Sequence, residues 1–287
     1  MQKVIFFCFC CIAIAFCSCK DDNPISENEP KLIFKFKFDP TQQRLNNFGQ
    51  PATMPPGHAG QSPTFHQIAA HYIELAPNAS TQLGSGTIVY NGPQTTQGGA
   101  QAIDFDQEKK VAENEEFLSI PLNQLQTGSY NWLRVSLAYQ NYDIQFRAFN
   151  TSFTGRLASF VGFNTYIGSH TIKNTSVAVN ANKLQGYWAF EPPAPATILQ
   201  GSAPVTTVPN PISSTSPIPA GSCVVTGQFE QPLTITGNET QDITVVISLS
   251  TNNSFEWQDL NNNQQFDPLD GENVVDMGLR GLKPLIQ

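Results

Sequence analysis

Near the C-terminus the run DLNNNQQFDPLD (259–270) alternates oxygen-bearing side chains with spacers. Aligned to a twelve-residue calcium loop, it puts Asp259, Asn261 and Asn263 at positions 1, 3 and 5. The backbone carbonyl of Gln265 falls at 7, Asp267 at 9 and Asp270 at 12. Calcium takes about six to eight oxygens at roughly 2.3–2.6 Å, and this spacing turns successive oxygens towards one point. Phe266 at position 8 supplies an apolar anchor. Two positions depart from the pattern. Gln264 stands at 6, where glycine makes the sharp turn, and Asp270 stands at 12, where the longer Glu is usual. The flanks SFEWQ and NVVDMG have strand character, so the unit is a strand–loop–strand clip, with affinity expected at about 10⁻⁴ to 10⁻³ M. The same letters suit an Asn-rich turn with solvated acids.

A second set of metal-capable groups lies in GHAGQSPTFHQIAAHYIE, which holds His58, His66 and His71. In a strand, His66 and His71 fall on opposite faces. A pair formed by His58 folding over to His71, with Glu74 nearby, would suit copper or zinc. Structural or solvated histidines give the same sequence. The stripe Tyr130, Trp132, Arg134 is a third candidate, a stacking platform for a sugar or peptide, or equally a face packed between sheets. Glycoside hydrolysis needs two carboxylates across a cleft. Asp104, Asp106, Glu115, Glu116 and Glu256 are available, but nothing in the sequence pairs them. The chain has no G-x-S-x-G, H-E-x-x-H or P-loop. The reading is therefore a non-enzymatic binding protein, with a metal protein or a surface glycan binder or hydrolase as alternatives.

The N-terminus sets the compartment. Lys3 precedes thirteen apolar residues (4–16), too few to span a bilayer, which needs about 20. Charge, short apolar core and a small residue make a secretory signal over residues 1–18. The FCSC that follows (Phe16 to Cys19) resembles the lipobox of bacterial lipoproteins, and CKDD resembles the surface-export signal of lipoproteins in the Bacteroidetes group. The resemblance implies cleavage before Cys19 and lipidation of that residue. It also implies an outer-membrane anchor, with the body facing the cell exterior. More than one acyl chain anchors stably. Residues 19–30 are then the lipidated Cys and a polar tether. The run SLSTNNSFEWQD, its Asn/Asp loop and VVDMGLRGL are similar to uncharacterised lipoproteins of the same group. The order of first strand, long loop and HYIEL, with the GSYNWLRVSLAYQN arm, resembles methanobactin-associated copper-binding proteins, which hold copper through histidines and a modified Trp. That likeness gives no ligand-by-ligand mapping here.

Five of six cysteines (Cys8, Cys10, Cys11, Cys17, Cys19) lie in or at the end of the signal, leaving Cys223 as a lone, buried structural thiol. No internal disulfide is then available. The whole chain has net charge −8; losing residues 1–18 removes Lys3 and no acid, giving −9. That excludes nucleic acid as an expected partner, and leaves the membrane as a partner through the lipid anchor only. A protein or glycan partner stays open.

The elements that must position these groups are strands. KLIFKFKFD alternates, with Leu32, Phe34, Phe36 and Phe38 on one face. HQIAAHYIEL is a strand or a short helix; TIVY, AIDF, FLSIPL, SYNWLRVSLAY, DIQFRAF, RLASFVGFNTYIG, LQGYWAF, CVVTGQF, LTIT and ITVVISLS follow as strands. In SYNWLRVSLAY, Leu133, Val135 and Leu137 face the core, as do Ile243, Val245, Ile247 and Leu249 in ITVVISLS. Residues 40–64 are expected to form a long loop. The fold class is all-β: an antiparallel sandwich, Ig-like or jelly-roll-like, with long loops and very little helix. Residues 31–287 are read as a single domain containing a Pro-rich excursion at 192–220, with eight prolines.

Overall fold

A computed structural model of the chain describes residues 29–193, 197–203 and 218–287. The expected signal, Cys19, most of the expected tether and much of the Pro-rich stretch lie outside the described residues. Among the described residues there are eighteen strands. The first nine are β1 (Lys31–Asp39), β2 (His58–Gln61), β3 (Thr64–Ala76), β4 (Thr87–Asn91), β5 (Gln94–Thr95), β6 (Ala102–Asp104), β7 (Glu116–Pro121), β8 (Gly128–Ala148) and β9 (Thr151–Phe160). The rest are β10 (Asn164–Thr171), β11 (Ser176–Leu184), β12 (Tyr187–Glu191), β13 (Leu199–Ser202), β14 (Cys223–Ile235), β15 (Ile243–Ser250), β16 (Phe255–Gln258), β17 (Val274–Met277) and β18 (Leu282–Ile286). Among the described residues the helices are short 3₁₀ turns, Leu122–Gln124 and Pro268–Asp270. None is long and apolar enough to cross a membrane.

The protein is an all-β sandwich. The largest sheet runs β13-β12-β9-β8-β3-β4, with β14 also paired to β8. A four-stranded sheet, β18-β15-β1-β7, covers one end of it, and the sheets β11-β10-β6-β5 and β17-β16-β2 complete the layers. β1 shows why the layers form. Its burial alternates strictly, and Leu32, Phe34 and Phe36 are fully buried, while Lys35 and Lys37 are not. Those apolar groups pack on Leu133, Val135 and Leu137 of β8 and Val245, Ile247 and Leu249 of β15. Burying a side chain of this size contributes about 1.5–3 kcal/mol.

Most pairs are antiparallel, but β1 pairs β15 in parallel, Leu32 opposite Ile243, and β6 pairs β10 in parallel. The strands expected at 129–139 and 143–149 are one strand, β8, 21 residues long. Nothing between them turns the chain, because β14 partners its first half, β3 its middle and β9 its last part. The run 156–168 instead divides into β9 and β10. The long loop 40–64 contains β2, held by β16 with Ala59 opposite Trp257. HQIAAHYIEL is strand throughout. Within the Pro-rich stretch, Leu199–Ser202 pairs with β12. After that stretch, β14 returns to β8 and β15 to β1.

The large sheet is covered on both faces. Ala158 and Phe160 of β9 join Tyr139, Ile167 and Tyr187 on one side. Leu157 joins Tyr142, Ile144, Phe255, Trp257 and Phe266 on the other. Phe65 bridges the cores, stacked on Phe38 (4.9 Å) and Tyr142 (4.7 Å). The small β17-β16-β2 sheet thus sits over the second face, and the site lies at its margin.

Candidate functional site

An aromatic cleft opens where the large sheet extends past the small one. Its floor follows from strand register. Phe146 of β8 stands opposite Phe153 of β9, and Tyr142 opposite Leu157. Phe190 of β12 is the next neighbour of Leu157, followed by Leu199 of β13. Trp188 lies one row on, opposite Ser159 and Gly201. Period-two alternation puts these residues on one face. Two glycines seat the rings: a Cβ at Gly155 would collide with the tip of the Phe190 ring, and one at Gly201 would stand 2.6 Å from the Trp188 indole. Phe146 then meets Phe153 at 5.7 Å and Phe190 edge-on at 5.4 Å. Phe255, Phe266, Pro268, Leu269, Val274 and Met277 form the facing wall. The cleft has a volume of about 650 Å³, within the roughly 300–1,000 Å³ of small-molecule sites. Phe149 (88% exposed) and Leu269 (63%) mark the rim.

That facing wall is partly made by the Asn-rich loop. Asp259 closes its first half: Oδ1 accepts from Asn263 N (3.1 Å), and Oδ2 accepts from Gln264 N (3.1 Å) and Nε2 (2.8 Å). Asn261 Oδ1 accepts from Asn263 N (3.0 Å), and Asn263 Oδ1 accepts from Gln265 N (2.7 Å). Asp267 is buried and accepts from the amides of Asn261 (3.3 Å) and Asn263 (2.7 Å). Gln264 adopts φ 62, the left-handed conformation that glycine would supply at position 6. Asp270 is exposed on the 3₁₀ turn. The carboxylate that returns to the loop is Glu272, which the sequence reading missed. It is buried and accepts from Leu260 N (3.1 Å) and Asp267 N (2.7 Å). Gly271, at φ 89, reverses the chain to bring it back; the Gly-Glu pair just past position 12 was the available signal. Arg147 of β8 ties the loop down, donating from its N–H to Phe266 O (2.7 Å) and approaching Asp267 Oδ1 at 3.7 Å. Among the described residues no three His, Cys, Asp or Glu side chains converge as a metal cluster. A calcium site here would depend on amide and backbone oxygens as well.

The other candidates are dispersed among separate partners. His58 Nδ1 meets Glu256 Oε1 at 2.7 Å, and His66 Nε2 meets Asp143 Oδ2 at 2.9 Å. His71 is buried against Ser136 Oγ (3.1 Å) and Phe163, and burial pushes its pKa down to about 4. Glu74, fully buried, accepts from Gly84 N and Gly86 N and faces Arg134 at 3.6 Å. Arg134 is buried and donates to Thr81 O and Gln82 O. Tyr130 is in the main core, its hydroxyl donating to Gln126 O (2.7 Å). Of the stripe, Trp132 is the half-buried member.

Glu256 anchors a charge network. Arg44 (2.5 Å) and Arg280 (2.8 Å) meet its Oε2, and Arg280 also meets Asp276 at 2.8 Å. Burial pushes the Glu256 carboxyl up, but His58 and the two arginines outweigh it and hold it below its usual range. Asp276 is pushed up by burial. Cys223, expected to be buried, is a free, half-buried thiol paired in β14 opposite Leu137, and the burial it has pushes its pKa up to about 12. No protein-family model, curated protein or solved structure matches the chain.

Proposed function

We propose that this is a lipid-anchored, outward-facing, non-enzymatic binding protein of the outer membrane, which takes a small apolar ligand in the aromatic cleft. The cleft carries the reading: a concave, aromatic-walled volume of about 650 Å³ on an otherwise polar chain. Its rings are pre-seated on Gly155 and Gly201, so little order need be lost on binding. The compartment rests on the lipobox and the acidic signal behind Cys19. In this reading the 259–272 loop is a structural calcium clip that stiffens one wall. The oxygens of Asp259, Asn261, Asn263 and Asp267, and Glu272 in place of Asp270, would hold the ion.

The test is titration of the purified protein with an apolar fluorescent probe, N-phenyl-1-naphthylamine. Saturable one-to-one binding is expected, lost in Phe153→Asp, which places a charge against Phe146. Absence of saturable binding by the unaltered protein sinks the reading. A metal inventory on protein purified without chelator separates calcium from copper and zinc.

A further inference from the structure

Beside the aromatic cleft lies a second cavity, of about 400 Å³, on the same face of the large sheet. The two share Ala203, Asn273, Val274 and Met277 in their walls, with β17 between them. On its floor Gln140 of β8 stands opposite Ser159 of β9, one row beyond Tyr142 and Leu157. Both are 1% exposed. Neither Gln140 Oε1 nor Ser159 Oγ has a hydrogen-bond partner among the described residues. A buried polar atom left unpaired costs about 1–3 kcal/mol, so two side by side mark a place where something else completes the bonding. The charges bordering this cavity cancel. Asp276 and Arg280 pair with each other, and Arg280 also bonds Glu256, which Arg44 balances. An ionised group entering there would find no free counter-charge.

Resting on the cleft reading above, we propose that the two cavities form one site for an amphipathic small molecule. The apolar or aromatic body lies in the cleft. A neutral hydroxyl- or amide-bearing head enters the smaller cavity, donates to Gln140 Oε1 and exchanges a hydrogen bond with Ser159 Oγ. Selectivity then comes from the head, because leaving buried hydrogen-bonding groups unmatched is costly.

The experiment is displacement of bound N-phenyl-1-naphthylamine by three compounds sharing a ten-carbon chain: 1-decanol, decyl methyl ether and decanoate. Decanol is expected to compete about tenfold better than either of the others, the change worth one good hydrogen bond. In Gln140→Leu/Ser159→Ala the preference is expected to fall below about twofold. Equal competition by all three on the unaltered protein overturns the head site and leaves a cavity filled by water only. Preference retained by the double variant overturns the assignment to these two residues. Failure of the probe to bind at all is a different result: it removes the cleft reading, and the head site with it. The compound series on the unaltered protein decides the matter even where the variant does not fold.

Discussion

His170 is held between the rings of Phe105, Phe160 and Tyr187, with neither ring nitrogen hydrogen-bonded among the described residues. Burial pushes its pKa down to about 4, as it does for His71. The folded state therefore binds fewer protons than the unfolded chain between about pH 4 and 6.5, and stability falls as pH falls through that window. Each histidine contributes on the order of 3 kcal/mol to that loss. His170→Leu removes one of the two, so its acid unfolding midpoint in a pH titration should shift lower. Glu108 has the opposite sign. It is buried with neither carboxylate oxygen hydrogen-bonded among the described residues, and burial pushes its pKa up, against the opposing pull of Lys110. Its contribution is present below the ordinary Glu range and is lost as pH rises through the folded value. Glu108→Gln should therefore flatten the alkaline side of the stability profile. None of this was legible in the sequence, where a histidine in SHTIK and a glutamate in DQEKK carry no mark of burial.

Within the elements, the alternation in β1 was fully legible, and its consequence is measurable. Phe36→Ala should cost about 3–5 kcal/mol in urea unfolding, since Phe36 is fully buried against Phe117 at 5.2 Å. At Gly155 the outcome should be seen in binding. An added methyl must displace the Phe190 ring, so Gly155→Ala should weaken probe binding several-fold, for a stability cost of about 1–3 kcal/mol. The loop between β16 and β17 was half legible. Its oxygen spacing was readable, and so was the awkward position 6. That Glu272 and not Asp270 bonds back to the loop was not, because it depends on Gly271 reversing the chain after the 3₁₀ turn. With a dissociation constant of about 10⁻⁴ to 10⁻³ M, 10 mM calcium should add roughly 1.4–2.7 kcal/mol to stability. That gain should appear as a rise of several degrees in Tm over EDTA, and should vanish in Asp259→Ala/Glu272→Ala. An equal Tm in both buffers would remove calcium from the account.

Over the whole molecule, the chain closes on itself late. β1 waits for β15, more than two hundred residues on, and β18 then covers the far side of β15. Pairing over such separations makes loop closure costly before any contact repays it. Refolding from urea, followed by tryptophan fluorescence, should therefore be no faster than the millisecond-to-second range of β sandwiches. Submillisecond refolding would contradict it. The cleft is also a property of this scale. It is made by β8, β9 and β12 from one sheet and by β16, β17 and their loop from another.

By itself the sequence determined the class of the fold, the inward faces of β1, β8 and β15, the oxygen spacing at 259–270, and the expectation of a lipid anchor. Each of these is a local property, a period of two or a run of residue types, which a single segment carries wherever it ends up. The tertiary structure decided the rest. It fused 128–148 into one strand, paired β1 in parallel with β15, separated His58 from His71 by different partners, and buried Tyr130 and Arg134. It also set Phe146 beside Phe153 and Gln140 beside Ser159. These depend on register and on which sheet covers which face, and neither is written in a single strand, because every strand offers the same backbone groups to any neighbour.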